Sequence, residues 1–266
     1  LPVFPSIFHG GFEPVVMGDT LARILVQTAR TRGLSEVFAD LLTFQGSELY
    51  FRTIPQFDGL EFGELQWRLY DAIPVGYTRH INGVSKVVLN PPLDDIVLPD
   101  DKILVLSESG HSFSVGARRD VLSKLSAVSS PSSLKKAHKP SECVAIIGTS
   151  SKLPFIIKEF NSYMSEKSMI FLITESEDPS VLALQSAEYE NVEVRILKGR
   201  SSTVQTAQLI FQLEPSPESV VVISQEGLEY KDADAQTIST VLLINLEHRK
   251  VPEKQLRVIC EILDTS

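Results

Sequence analysis

Three stretches of the chain carry residues whose type and spacing could do chemistry. The first is "CVAIIGTSSKLPFII", residues 143–157. An apolar run ends at Gly148 and a helix-like pattern follows, which is how a dinucleotide-binding α/β unit opens. That fingerprint needs one glycine for the tight turn, one for close approach of a pyrophosphate and one for strand–helix packing. Gly148 supplies the first; Ser150 and Leu153 stand in the other two places. Ser150 would crowd a pyrophosphate, although its hydroxyl suits a smaller anion at a helix N-terminus. Leu153 is expected to push strand and helix apart. The next apolar run ends in "ITESED", which puts Glu175 where a carboxylate would accept a bond from a ribose hydroxyl. Gly148, Ser150 and Glu175 are the candidate nucleotide-binding residues, with a solvated strand-end carboxylate as the competing reading of Glu175.

The second stretch, "NPPLDDIVLPDDK", places Asp94, Asp95, Asp100 and Asp101 around a hairpin-like turn. Calcium takes several converging hard oxygens, and these four carboxylates are the candidate metal ligands, although the spacing is not that of an EF-hand loop. Solvated turn carboxylates are the competing reading. A calcium ion or a nucleotide such as NAD is the class of cofactor these two candidate sites would take. The third stretch, "LEYKDADAQ", adds Glu229, Asp232 and Asp234, of which Asp232 reads as the cap of the helix that follows.

Other chemistry finds no motif. His9, His80, His111, His138 and His248 fall in no H-E-x-x-H pattern and beside no cysteine at zinc-ligand spacing. There is no G-x-S-x-G elbow and no Walker A loop. Cys143 and Cys260 sit inside apolar runs and read as small buried hydrophobes in a reducing compartment, not as a disulfide. A net charge of −9 argues against general nucleic-acid binding, which needs a basic face. No apolar run reaches the length of a membrane span, and the start lacks the basic-then-apolar order of a signal peptide. The first residue is Leu1, so the chain reads as a piece of something longer.

The elements that must position these residues fall in two halves. Residues 107–141 hold 11 serines in 35 positions, and Gly116 to Pro140 carries six Lys and Arg against one acid. This reads as an exposed linker with a short helix at 118–127. Before it, "DTLARILVQTAR" spaces Leu21, Ile24, Leu25 and Thr28 as a helix, with Asp19 as the expected N-cap and Gly33 at its end. A second helix "LSEVFADLLTF", a strand "ELYFRTI", a helix "GLEFGELQWRLY" and strands "AIPVGYTR", "SKVVLN" and "KILVLSE" complete an ααβαβββ order, a small α+β lobe. After the linker, near-continuous apolar strands "CVAIIG", "MIFLIT", "VEVRILK", "SVVVISQ" and "LRVICEIL" alternate with helices near 151–165, 179–187, 203–213 and 232–249. That alternation predicts a parallel, doubly wound sheet covered on both faces. The last helix carries Ile238, Val241, Leu242 and Asn245 along one side, which suggests burial against the sheet, with subunit packing as a further role.

Several of these stretches resemble a known family. "RILVQTARTRGLSEVFADLLTFQGSELYFR", "FDGLEFGELQWRLYDAIPVG" and "LNPPLDDIVLPDDKILVLSES" are similar to the regulatory region of the Castor/Pollux ion channels, and "DADAQTISTVLLINLEHR" and "VICEILDTS" to a later helix and strand of it. The resemblance implies an α/β fold of RCK type (regulator of K+ conductance): a Rossmann-like parallel-sheet lobe in the C-terminal half and a smaller α+β RCK C-terminal lobe with crossover helices in the N-terminal half. On that template, residues 1–18 are the tail of a truncated Rossmann lobe. Residues 19–45 are crossover helices, 46–107 the C-terminal lobe, 108–141 the linker and 142–266 the second Rossmann-like lobe. It also implies a non-enzymatic job: a gating module that senses an ion or nucleotide, forms a ring-like homo-oligomer and pulls on its own pore domain, which this chain lacks. The expected location is the cytoplasmic face of a bacterial inner membrane, or the nuclear envelope for a plant member. A nucleotide-dependent soluble enzyme and a cytosolic scaffold are the alternatives.

Overall fold

The computed structural model describes residues 16–43, 46–81, 83–108, 114–118 and 140–264. The expected tail at 1–15, the short helix at 118–127 and most of the 108–141 linker lie outside the described residues. The chain divides into two compact units, with the boundary between Ser35 and Glu36 at the start of the second helix. The first unit joins the first helix to everything from residue 140 onward. The second runs from Glu36 through the antiparallel strands.

The first unit is a five-stranded sheet of β5 (Cys143–Ile147), β6 (Ser168–Thr174), β7 (Val192–Lys198), β8 (Ser219–Val222) and β9 (Arg257–Cys260). The order is β7-β6-β5-β8-β9 and every pairing is parallel. The three inner strands are buried at every position, whereas edge strand β7 alternates and edge strand β9 is half-buried throughout. Burial on both faces is what permits uninterrupted Val/Ile/Leu runs, and it requires helices on both sides. Alternate strand residues accordingly enter different cores. Val144, Ile146, Ile170, Leu172 and Val221 pack under α1 (Met17–Arg30), α4 (Leu153–Tyr163) and α5 (Pro179–Ser186). Ala145, Ile147, Phe171, Ile173 and Val222 pack under α6 (Val204–Gln212) and α7 (Tyr230–His248).

Three helix details differ from the sequence expectation. In α1 the buried stripe is Ala22, Val26 and Ala29, one position on from the larger apolar residues, so that small side chains let the helix approach the sheet. Asp19 is not the cap: α1 begins at Met17, and Asp19 sits within its first turn, paired with Arg23 at 3.2 Å. Likewise α7 begins at Tyr230, and Asp232 lies within its first turn, where its charge favours the helix dipole without capping it. The buried edge of α7 is Ala233, Asp234, Thr237, Thr240 and Ile244, while Ile238, Leu242 and Leu246 remain exposed along one stripe. Its polar edge is satisfied by loops at the strand ends. Asp234 accepts hydrogen bonds from the N–H groups of Leu263 and Asp264, and Thr240 from that of Ser202.

The second unit contains α2 (Leu34–Leu42), β1 (Glu48–Arg52), a 3-10 turn (Pro55–Phe57), α3 (Phe62–Arg68), β2 (Ala72–Ile81), β3 (Val84–Leu89) and β4 (Lys102–Ser107). Its sheet has the order β1-β4-β2-β3, all antiparallel, with a bulge between Pro74 and Gly76. One face packs Tyr77, Ile103 and Val105 against Phe57, Phe62 and Leu65. The other leaves Leu49, Phe51, Ile73, Val87 and Leu89 exposed.

Candidate functional site

In the doubly wound order, the strand order reverses between β5 and β8, and the crevice outside the strand ends at that point is where such folds take ligands. A cleft of about 700 Å³ lies there. Gly148 and Ser150 from the turn after β5, and Glu175 from the end of β6, all line it. Gly148 leaves β5 with φ +108, and a Cβ there would stand 2.5 Å from the carbonyl oxygen of Ile223. Only glycine fits a turn that is both left-handed and pressed against the next strand. Its N–H donates to Ile173 O at 3.2 Å, tying the turn to β6.

The residues after Gly148 are committed to the protein itself. Ser150 is buried, and its hydroxyl accepts from the N–H of Lys152 at 3.1 Å. The Thr149 and Thr174 hydroxyls meet at 2.5 Å, and Thr174 also accepts from the N–H of Ser176 at 2.9 Å. Leu153 does not push α4 off the sheet as expected. It is fully buried in the core beneath α1 and α4, and supplies apolar contact where a glycine would supply closeness. Glu175 is exposed at the end of β6, its carboxylate 3.9 Å from the Arg200 guanidinium.

Two carboxylates that the sequence reading passed over engage the turn after β5, and the first of them lines the crevice. Glu226, in the loop after β8, accepts from both the N–H of Ser151 at 2.9 Å and its hydroxyl at 2.5 Å. The Ser151 hydroxyl above all, with lesser help from its N–H and the nearby Lys152 charge, holds the Glu226 carboxyl below its ordinary range against the opposing effect of burial. Lys152 in turn pairs with Glu261, just past β9, and Glu261 also accepts from the N–H of Ser224 at 3.2 Å. On the opposite side, Asp178 caps α5 through the Ser180 hydroxyl and N–H, which lower its carboxyl. The rim therefore offers hydroxyl and carboxylate oxygens together with the Arg200 guanidinium, groups suited to hydrogen-bonding a polar ligand.

The four aspartates in the second unit are not gathered as the calcium reading expects. Asp94 and Asp100 point into solvent, while Asp101 is buried. The Asp101 carboxylate takes Nε of Arg79 at 3.0 Å, Nη2 at 2.6 Å and the N–H of Leu98 at 2.9 Å. Asp95 accepts from the Tyr77 hydroxyl, and Arg79 stacks over the Tyr77 ring at 4.4 Å. Burial first, then the Asp95 hydrogen bond, push the Tyr77 phenol up to about 12. The arrangement is a salt-bridged clamp on the sheet. Among the described residues, no three His, Cys, Asp or Glu side chains converge as metal ligands would. Arg79, 22 residues before its partner, was the missed signal.

Of the cysteines, Cys143 is buried in β5 with its thiol 3.2 Å from Pro215 O; burial, then the Glu218 charge, push it up to about 12. Cys260 is half-buried and is also raised, first by burial. Both are free thiols, as small packing residues should be.

The family described as "Castor and Pollux, part of voltage-gated ion channel" matches residues 18–120. Over 252 residues, 92% of this chain, the sequence is 25% identical to the ion channel POLLUX of Lotus japonicus and covers 27% of it. It is 24% identical over 258 residues to the probable ion channel POLLUX of Arabidopsis thaliana, covering 92% of this chain and 30% of that one. It is 25% identical over 253 residues to the ion channel CASTOR of Lotus japonicus, covering 90% and 28%. The chain thus spans about a quarter of the length of these relatives. In fold it is similar to the human SLO3 gating ring, with a TM-score of 0.61 over 91% of this chain and 50% of that one at 14% identity.

Proposed function

For a chain related to the Castor and Pollux ion channels, we propose that it works as the regulatory, gating part of a cation channel, coupling ligand binding to pore opening and catalysing no reaction. One observation carries this reading. The relatives and the gating ring each align with about nine-tenths of the chain, so the likeness extends through both units and is not confined to a common Rossmann-like core.

On this reading the described helices α1 and α2 serve as crossover helices, residues 46–107 as an RCK C-terminal lobe, 108–141 as a linker and 142–264 as a second Rossmann-like lobe. The crevice lined by Gly148, Ser150 and Glu175 is where a ligand acts, and a nucleotide such as NAD is the class to test there first. Such a ligand moves a gate only in so far as it binds the open and closed forms unequally.

Assembly into a ring with further copies of the chain is supported by exposed apolar surface. Ile238, Leu242 and Leu246 form a stripe on α7, and Leu49, Phe51, Ile73, Val87 and Leu89 line one face of the antiparallel sheet. Surfaces of this kind mark interfaces in soluble units. No helix among the described residues is long and apolar enough to cross a membrane. The matched relatives named above are plant channels, which gives the bacterial location no support.

The test is ion flux through the full-length protein reconstituted in liposomes. Flux that is altered by Ile238→Asp with Leu242→Asp, at unchanged protein incorporation, supports a gating role. Absence of any ion flux, or turnover of a metabolite by the purified chain, overturns it.

A further inference from the structure

We propose that Glu226 is an internal latch that occupies the phosphate position of the crevice, so that a phosphate-bearing ligand enters only when the loop after β8 lets go. This rests on reading the crevice as the ligand site and adds how that site is regulated. The contact is an intramolecular, autoinhibitory one, bridging residues 75 apart in the chain.

Several independent features place the latch. In an open doubly wound site, the turn after the first strand presents backbone N–H groups to a phosphate. Here the Ser151 N–H and hydroxyl, at the mouth of that turn, already hold a carboxylate, at 2.9 and 2.5 Å. Such two-point, charge-assisted contact uses the same donors a phosphate oxygen would need. The neighbouring cation is engaged too, since Lys152 pairs with Glu261 on the far side of β8 and β9. Ser150 spends its hydroxyl on the N–H of Lys152. The Ser151 donors and the Lys152 charge are therefore engaged within the fold, and the Ser151–Glu226 contact joins the two loops flanking the reversal point between β5 and β8.

The latch is also breakable. Glu226 is exposed, and its hold consists of two hydrogen bonds to one residue. Each such bond is worth roughly two- to tenfold in an equilibrium. A loop movement of a few ångströms would release it without disturbing the buried strands. The glycine turn itself is retained, with Gly148 still at φ +108. The fold has kept the cradle and placed its own carboxylate in it.

The experiment uses the 266-residue chain, its Glu226→Gln and Glu226→Ala variants and Gly148→Val, with ADP as the probe and adenosine as the phosphate-free control, read by calorimetry. Hydrogen exchange at the Ser151 amide, without ligand, reports the latch directly. The expected result is a slow Ser151 amide in the wild type and a fast one in both Glu226 variants. ADP should bind about tenfold tighter to those variants, with adenosine unchanged. A variant whose Ser151 amide is released but which binds ADP no better than the wild type overturns the latch, as does a Ser151 amide equally fast in all proteins. ADP binding that is lost in Gly148→Val yet indifferent to Glu226 keeps the crevice and removes the latch. ADP binding indifferent to both positions removes the crevice as well.

Discussion

Asp101 offers a decisive perturbation, because the calcium and clamp readings of the same carboxylate predict different things. Its side chain is 1% exposed and faces an Arg79 side chain that is 19% exposed. Removing it in Asp101→Ala takes away two guanidinium contacts at 3.0 and 2.6 Å and the acceptor for the Leu98 N–H at 2.9 Å. Breaking a buried pair from one side costs about 3–5 kcal/mol, since the other charge stays behind unpaired. Arg79 keeps some access to water, the Ile96 carbonyl at 2.7 Å and the Asp95 carboxylate at 3.7 Å. These lower the expected loss to about 2–4 kcal/mol. The chain has one tryptophan, Trp67, and it lies in α3 of the same unit, so urea unfolding followed by its fluorescence reads this unit alone. With a denaturant slope of about 1–2 kcal/mol per molar, the midpoint should fall by about 1–4 M. The loss should be the same in calcium and in chelator. Replacing both partners, Arg79→Met with Asp101→Leu, should recover much of it, because no buried charge is then left alone. A loss below about 1 kcal/mol in chelator, or a wild-type midpoint that climbs with calcium in a manner Asp101→Ala abolishes, would refute the clamp.

Three further outcomes follow from the first unit. Gly148→Ala should destabilise that unit by about 2 kcal/mol or more, through left-handed strain plus the clash with Ile223 O, as seen in far-UV melting; a loss near zero would mean the turn relaxes freely. Glu226 has a folded carboxyl below its ordinary 4.5, so its contribution is present above that pH and is lost as pH falls through the lower folded value. The stability gap between the wild type and Glu226→Gln should therefore narrow on acidification from about pH 6 to about pH 3, and a gap that widens would contradict the sign. Cys143, with its thiol up to about 12, should react with a disulfide reagent at pH 8 far more slowly in the folded chain than in urea; equal rates would place it at the surface.

Periodicity carried most of the fold. The ααβαβββ order and the five parallel strands follow from apolar runs whose length and spacing are local properties, and each has its counterpart in the structure. What local pattern could not supply was partnership across the chain. "LDDIVLPDDK" reads as a turn of free carboxylates until β2 brings Arg79 beside Asp101. Likewise "TSSK" reads as a degraded phosphate loop until the segment after β8 brings Glu226 to Ser151. The α7 stripe was legible as apolar but not as exposed, because Thr237 and Thr240 have the small volume that the sheet side accepts. Leu153 misled for the same reason in reverse: its bulk is taken up in a core to which α1, a helix more than a hundred residues earlier, contributes Ala22, Val26 and Ala29.

The proposed gating role is tested most sharply by a structure of the protein in a lipid nanodisc, with and without ADP. The expected outcome is membrane spans enclosing a pore, several copies of these two units joined in a ring on one side of it, and a pore radius that changes when ADP fills the crevice. A full-length protein without membrane spans, or a pore unchanged when that crevice is filled, would contradict it.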